Sequence, residues 1–397
     1  MSELYLFDDA RARTFEPFAL TRPISELRAG TELLRRRWEL AAANNAAAFI
    51  GAEHLASFEE DGAPPALARA AKIPAGAIVA NSRFAVALGE TLDAKHSAWE
   101  CDGEICAARL ARPLEATALA EGFDLGSLVS GRTPLKGRWI SAVWDFIAQL
   151  SMQLTDDIDA TASSIDSVSK PDTCIGAHSV TVERGASIEP YVVFDASAGP
   201  IMVRAGSTIS AFTRLVGPCF IGRDSTIVGD RVANCSIGEK SKIRGEISST
   251  IVLGHSNKGH TGFVGHSYLG RWVNLGAGTT TSNLKNTYGT VHFWTPDGTV
   301  DTGQQFLGTM FGDHVKTGIG TMLNTGTVVG AGANIFGGSL HPKHVPAFAW
   351  GDGEPYARYD LPKFLDVAER MMKRRGVVTT DALRQQFSLA YERAAGF

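Results

Sequence analysis

The sequence predicts an α/β N-terminal domain followed by an all-β domain, a left-handed parallel β-helix, with a helical tail at the C-terminus. Three observations predict it. At 397 residues the chain exceeds what one ordinary compact core holds, so it needs two domains or a repeat that elongates one of them. Val203, Ile209, Leu215, Ile221 and Ile227 fall six residues apart, repeatedly followed by Gly or another small residue, as in Ile221-Gly222-Arg223-Asp224-Ser225-Thr226. Ahead of the polar run Thr155 to Ser169, short apolar runs and a helical spacing replace that period.

Residues 1–155 are expected to form the α/β domain. Leu4-Tyr5-Leu6-Phe7 is a strand ending at Asp8-Asp9, and Ile24, Leu27, Leu34, Trp38 and Ala41 predict a helix from Ile24 to Ala43 lying on a sheet. Ala77-Ile78-Val79-Ala80 is a second short strand, and Asp102-Gly103, inside the run Trp99 to Cys106, signals a β-hairpin. A helix around Ile140 to Ile147 closes the segment. The run Thr155 to Ser169 is the expected boundary.

Residues 170–350 carry the hexapeptide period, which resumes at Ile237 and Ile243, at Leu269 and Leu275, and at Leu323, Val329 and Ile335. Six residues make a short strand and a tight turn. Three such units close a triangular coil, and stacking buries the aliphatic column that a lone coil exposes. A β-sandwich fits less well, because its strands recur every 8–12 residues or so. The period breaks between Asn283 and Gly308, where Val291 to Val300 reads as a projecting hairpin, and inserted loops in solenoids gather on the binding face.

The tail, 358–397, is expected to hold two helices. Asp360 caps the first, with Pro362 in its first turn and Gly376 ending it, and Thr380 caps the second. Lys373-Arg374-Arg375 ends the first helix. It reads either as a contact for a coenzyme phosphate or, more simply, as a solvated last turn complementing the helix dipole.

A formal net charge of −4, a pI near 6.2 and the lack of a long basic run give no reason to expect nucleic acid as a partner. The N-terminal residues lack a leader pattern, and no window reaches the eighteen or so apolar residues of a membrane span. A soluble, cytoplasmic protein without a membrane partner is expected. The cysteines Cys101, Cys106, Cys174, Cys219 and Cys235, odd in number and without a Cys-x-x-Cys pair, are expected to be reduced thiols.

Chemistry concentrates in Gly254 to Asn286, which holds His255, His260 and His266, the amides of Asn274 and Asn283, and many glycines. Lys258-Gly259-His260, followed by Asn274-Leu275-Gly276-Ala277-Gly278-Thr279 and then Asn283, resembles the acetyltransferase half of the bifunctional glucosamine-1-phosphate acetyltransferase and N-acetylglucosamine-1-phosphate uridyltransferase family (GlmU). The whole chain, from residue 3 to about 375, resembles GlmU-like sugar nucleotidyltransferases of bacteria with a shortened N-terminal domain. It shares blocks such as His255-Ser256-Asn257-Lys258-Gly259-His260 and Gly265-His266-Ser267-Tyr268-Leu269-Gly270.

The resemblance implies transfer of an acetyl group from acetyl-CoA to an amino sugar or amino-sugar 1-phosphate, coupled to nucleotidyl transfer that makes a UDP-sugar such as UDP-GlcNAc. A protonated amine cannot attack a thioester, so a neutral imidazole must take its proton, and His260 stands at the matching position. Asn274 and Asn283 match the asparagines that hold the acceptor sugar and acyl groups. Gly276, Gly278 and Gly337 would let acetyl-CoA approach the backbone. Phe263 replaces a family tyrosine and Ser248 a family lysine. Lys258 or Lys285 is then expected to supply the charge for a sugar phosphate. The N-terminal domain lacks the family's glycine-rich loop, which leaves Arg13, Arg22 and Arg28 as candidates for a nucleoside triphosphate and Asp8 and Asp9 for Mg²⁺.

A homotrimer is implied too, since the family's coenzyme groove lies between neighbouring β-helices, and a lone chain is expected to expose Phe263, Tyr268 and Trp272 together. Two alternatives remain open. One is a non-catalytic trimeric binding or scaffold protein with a decayed site. The other is a γ-carbonic-anhydrase-like zinc enzyme using His255 and His260, for which a third histidine is missing between His178 and His255.

Overall fold

The computed structural model describes residues 2–93, 95–120, 122, 124–128, 131–168 and 172–394. Ser169 and Lys170, at the expected boundary, lie outside the described residues. The described residues divide into two compact units, one within 2–15, 19–143 and 380–393 and the other within 16–18, 144–379 and 394.

The first unit is built on a six-stranded sheet in the order Thr133–Pro134, Ala98–Cys101, Glu104–Arg109, Ile78–Asn81, Leu4–Phe7, Ala46–Ile50. Leu4–Phe7 runs parallel to both of its neighbours. Alternate residues of these strands feed separate cores: Leu4, Leu6, Ile78 and Ala80 pack with Trp38 and Phe84, while Tyr5, Phe7, Val79 and Ile50 pack with Ile73 and Leu119. A sheet covered on both faces explains why its strands read as unbroken apolar runs. Asp102 and Gly103, with φ of 53° and 80°, make the expected hairpin turn.

Two helical expectations in this stretch need correction. Ile24 to Ala43 is not one helix: a short 3₁₀ turn (Ile24–Glu26) and a tight hairpin (Arg28–Ala29 with Glu32–Leu33) come first, and the helix occupies only Leu34–Ala42. Gly30, at a φ of 61°, lets the chain reverse there, and Ile24, Leu27 and Trp38 are all buried although only one of them is α-helical. The helix expected at Ile140 to Ile147 starts at Asp145, pauses at Gln149 and continues as Leu150–Thr161, into the polar run read as a linker. Leu150, Leu154 and Ile158 form its buried side.

The second unit is a left-handed parallel β-helix. Its walls are sheets of six, nine and ten strands, in which strands pair in parallel with the equivalent strand one coil away except for Ala357–Arg358, which adds antiparallel to the end of the ten-stranded wall, and a further short three-stranded sheet lies beside them. Val203, Ile209, Leu215, Ile221, Ile227, Ile237, Ile243, Leu269, Leu275, Leu323, Val329 and Ile335 are all buried in one continuous column. His292–Thr295 and Gly298–Asp301 form the projecting antiparallel hairpin.

The tail helices divide between the units. Leu361–Lys373 stays with the β-helix, its Asp360 cap accepting from Lys363 N at 3.1 Å. Asp381–Arg393, capped by Thr380 accepting from Leu383 N at 3.2 Å, is counted with the first unit, where Thr380 also donates to Glu59 at 2.6 Å. All five cysteines are free thiols. Among the described residues no helix is long and apolar enough to cross a membrane.

Candidate active site

The stretch Gly254 to Asn286 forms neighbouring coils of the β-helix. Asn257–Lys258 pairs in register with Asn274–Leu275, and Phe263–Gly265 occupies the next wall of its own coil. His260 sits on the corner between those two walls with its side chain exposed, and among the described residues its imidazole takes no hydrogen bond. An exposed corner is where a base must stand to meet a ligand arriving from solvent.

The two matched asparagines lie on different walls. Asn274 is half-buried and accepts from Asn257 Nδ2 at 2.9 Å. Asn283 Nδ2 approaches His266 Nδ1 to 2.8 Å, with Phe306 stacked on that imidazole at 5.2 Å between ring centroids. Phe263 joins this second group: a Cβ added at Gly265 would meet the Phe263 ring at 2.4 Å and Asn283 Nδ2 at 2.7 Å. Burial lowers the His266 pKa below the ordinary histidine value and favours its neutral form. The arrangement therefore offers an exposed imidazole on one corner and, on the next corner of the same coil, a half-buried imidazole whose neutral form burial favours and which is already paired to an amide.

Lys258 does not present its charge to an acceptor, contrary to expectation. Its wall positions Ile227, Ile243, Lys258 and Leu275 in one register, so the lysine takes an interior place in the aliphatic column. Its ammonium donates to Arg244 O at 3.2 Å, Thr261 O at 3.1 Å and the carbonyl of His260. Burial lowers its pKa to about 8. Lys258 is a post that ties down the corner bearing His260. Lys285 lies near the projecting hairpin, donating to the Thr290 carbonyl and standing 3.3 Å from His292 Nδ1.

The glycines expected to meet a coenzyme are already accounted for by coil stacking and turns. A Cβ at Gly276 would stand 2.4 Å from Gly318 O of the next coil, and Gly278 and Gly337 hold φ of 74° and 104°. His255 and His266 occupy left-handed corners at φ of 54° and 48°. His255 is buried, with Arg271 Nη1 2.7 Å from its Nδ1 and Trp272 packed on its ring. Tyr268 and Trp272 are not exposed with Phe263: Tyr268 is fully buried against Phe18 and Phe146, and Trp272 is 6% exposed.

In the first unit a cleft of about 550 Å³ opens at the carboxyl ends of Leu4–Phe7 and Ile78–Asn81, the end at which open parallel sheets take ligands. Arg22 and Arg28 are not available to a phosphate there. Arg22 is buried and forms two hydrogen bonds with Glu60, at 3.0 and 3.3 Å, and Arg28 is buried with Nη1 2.5 Å from Thr31 O. Arg13 donates to Asp8 O at 3.0 Å. The cations that line the cleft are Arg11, Arg83 and Arg132, which the sequence reading passed over.

The Asp8-Asp9 pair does not fit Mg²⁺. Asp9 is engaged by Arg83 at 2.6 Å and Asn81 at 3.0 Å; burial alone would raise its pKa, but these partners hold it below the ordinary value. Asp8 is buried, accepts from Ile24 N, and has a pKa raised by desolvation to about 7.

Comparison with known proteins finds relatives of parts of the chain. Residues 4–165 match the sugar nucleotidyl transferase family model. The bifunctional protein GlmU of Jannaschia sp. strain CCS1 is 31% identical over 181 residues, covering 44% of this chain and 35% of that protein. The bifunctional sugar-1-phosphate nucleotidylyltransferase/acetyltransferase of Sulfurisphaera tokodaii is 33% identical over 104 residues, 26% of each chain. The chain thus matches only about a quarter to a third of the length of these two relatives. Among solved structures, AntD, an N-acyltransferase from Bacillus cereus in complex with dTDP and 3-hydroxybutyryl-CoA, is similar at 12% identity over 53% of this chain and 99% of AntD, with a TM-score of 0.21. The chain is thus similar over residues 4–165 to sugar nucleotidyl transferases and, over 44% of its length, to the bifunctional protein GlmU.

Proposed function

We propose that the protein is an acetyl-CoA-dependent N-acetyltransferase acting on an amino sugar or amino-sugar 1-phosphate. The observation that carries this reading is the spacing of His260, Asn274 and Asn283, combined with the exposed corner that His260 occupies on a parallel β-helix. In this reading His260 takes a proton from the acceptor's ammonium. The freed amine attacks the thioester carbonyl, a C–N bond forms, the C–S bond breaks, and the coenzyme leaves as a thiolate that is then protonated. Asn274 and Asn283 would orient acceptor and acyl group through their amides.

A second reading rests on the Asn283–His266 contact: His266, neutral and already oriented by an amide, serves as the base instead. Substituting each histidine separately distinguishes the two.

For the first domain we propose sugar-1-phosphate nucleotidyl transfer in the cleft at the strand ends, with Arg11 and Arg132 meeting the nucleotide phosphates in place of Arg13, Arg22 and Arg28. Assembly as a homotrimer belongs to the same proposal. Mass spectrometry of products from acetyl-CoA, UTP and a panel of amino-sugar phosphates tests it. An acetylated sugar, with or without its nucleotide adduct, is expected, and coenzyme binding without turnover on any acceptor would favour a scaffold.

A further inference from the structure

A concentration of positive charge with no assigned task lies within the β-helix unit, under the first tail helix. A cleft of about 640 Å³ is lined by Lys242, Asn257, Asn274 and Lys316 from one wall, and by Val367, Arg370, Met371, Arg374 and Arg375 from the helix and its C-terminal turn. The size suits a small-molecule ligand. Five of these nine residues are cations and none is an acid, in a chain whose formal net charge is −4.

Backbone register builds the floor. Lys242 pairs with Asn257, Asn257 with Asn274, and Asn274 with Lys316, on four successive strands. With strands about 4.8 Å apart, the two lysines stand roughly 14 Å from each other, at either end of two amide rungs. Each amide carries two N–H donors, and Asn257 uses one of its own on Asn274. Helical periodicity builds the roof: positions 367, 370, 371 and 374 form one stripe.

Four of the five cations have no acidic counterpart among the described residues. Arg370 pairs with Asp366 at 2.7 Å on the exposed side of the helix, but among the described residues no carboxylate pairs with Lys242, Lys316, Arg374 or Arg375. Lys316 Nζ donates to His314 O at 3.0 Å and Arg375 Nη1 to Lys240 O at 2.6 Å. Burial holds the Lys316 pKa down to about 8, and it lowers that of Arg375, with Arg374 adding repulsion. Lys316 and Arg375 are thus desolvated cations in a cleft whose other cations, Lys242, Arg370 and Arg374, are open to solvent, and a multivalent anion bound there would offset the cost of that burial.

We propose that this cleft is a diphosphate-binding site, in which Lys242, Lys316, Arg370, Arg374 and Arg375 neutralise the phosphoryl oxygens and the Asn257–Asn274 ladder donates hydrogen bonds between them. Arginine forks and lysine point charges are the usual partners of such oxygens. Val367 and Met371 give the non-phosphate part of the ligand an apolar contact. Two kinds of molecule carry this group, a nucleotide or nucleotide sugar and a coenzyme A thioester. The inference does not depend on which residue is the base, or on acyl transfer taking place.

Calorimetric titration of the full-length protein with inorganic pyrophosphate, with UDP and with coenzyme A tests it. Pyrophosphate is expected to bind, more weakly as salt rises. Lys242→Gln combined with Arg374→Gln should weaken it about tenfold or more, since charge-assisted hydrogen bonds are lost. Arg69→Gln combined with Lys72→Gln, which removes the same charge from exposed sites in the first unit, should leave it unchanged. Loss of UDP binding in the cleft variant assigns the diphosphate to a nucleotide, and loss of coenzyme A binding assigns it to the coenzyme. No pyrophosphate binding, or equal weakening in both double variants, overturns the proposal.

Discussion

Asn283 Nδ2 stands 2.8 Å from His266 Nδ1, and the two residues belong to adjacent coils, so the amide and the imidazole fix each other's orientation. If Asn283 also positions the acyl group, its loss removes one hydrogen bond near the reacting centre. Asn283→Ala should then lower kcat/KM by about 10- to 100-fold, as expected for a hydrogen bond worth roughly 1.5–3 kcal/mol. Steady-state kinetics read this directly, and unchanged kcat/KM would remove Asn283 from the site.

Lys258 makes a prediction about stability. Replacing it with Met keeps the length but leaves the carbonyls of Arg244, His260 and Thr261 without their shared donor. A loss of about 1–3 kcal/mol is expected, the ordinary cost of unsatisfied buried polar groups. Denaturant unfolding measures it. Unaltered stability with a raised acceptor KM would restore Lys258 as a ligand for the acceptor.

Asp8 makes one about pH. Its carboxyl has a pKa raised to about 7 in the fold against 3.8 for the ordinary group, so between these values the native state binds more protons than the unfolded chain. Its contribution to stability is therefore full at low pH and is lost as pH rises through about 7. Asp8→Asn, which keeps the shape and the acceptor for Ile24 N, should flatten the fall in stability between about pH 4 and pH 7. Thermal melts across that range check it, and an equal slope in both proteins would count against the assignment.

The boundary can be tested by truncation. The fragment of residues 144–379 keeps the Leu150–Thr161 helix and Phe146, which packs against Tyr268 at 5.4 Å between ring centroids. It should unfold cooperatively, because each coil leans mainly on its neighbours. A fragment of residues 170–350 loses those coverings and should be less stable or aggregate. Circular dichroism and light scattering compare them, and the reverse ranking would return the boundary to the polar run.

The β-helix was legible because one aliphatic residue per six is a pattern that few other architectures impose. Ile24 to Ala43 looks like one helix in sequence because a largely buried 3₁₀ turn and hairpin also place apolar residues three, four and seven apart. Lys258 carried a signal that was missed. It lies 15 residues after Ile243 and 17 before Leu275, in step with the buried column, but a lysine does not look like an interior residue until its ammonium is seen to reach the corner carbonyls. The ladder Lys242-Asn257-Asn274-Lys316 was invisible for a different reason: its members are 15, 17 and 42 residues apart, and only coil stacking brings them into line.

The central claim is that His260 is the base of an acetyl transfer. Turnover of acetyl-CoA with an amino-sugar acceptor, measured for His260→Ala beside His255→Ala and His266→Ala, tests it most directly. A fall of about 10²–10⁴-fold is expected for His260→Ala with coenzyme affinity little changed, since the base acts on the amine and not on the coenzyme. Near-native turnover in His260→Ala, with activity abolished in His266→Ala, would contradict it and move the base to the imidazole held by Asn283.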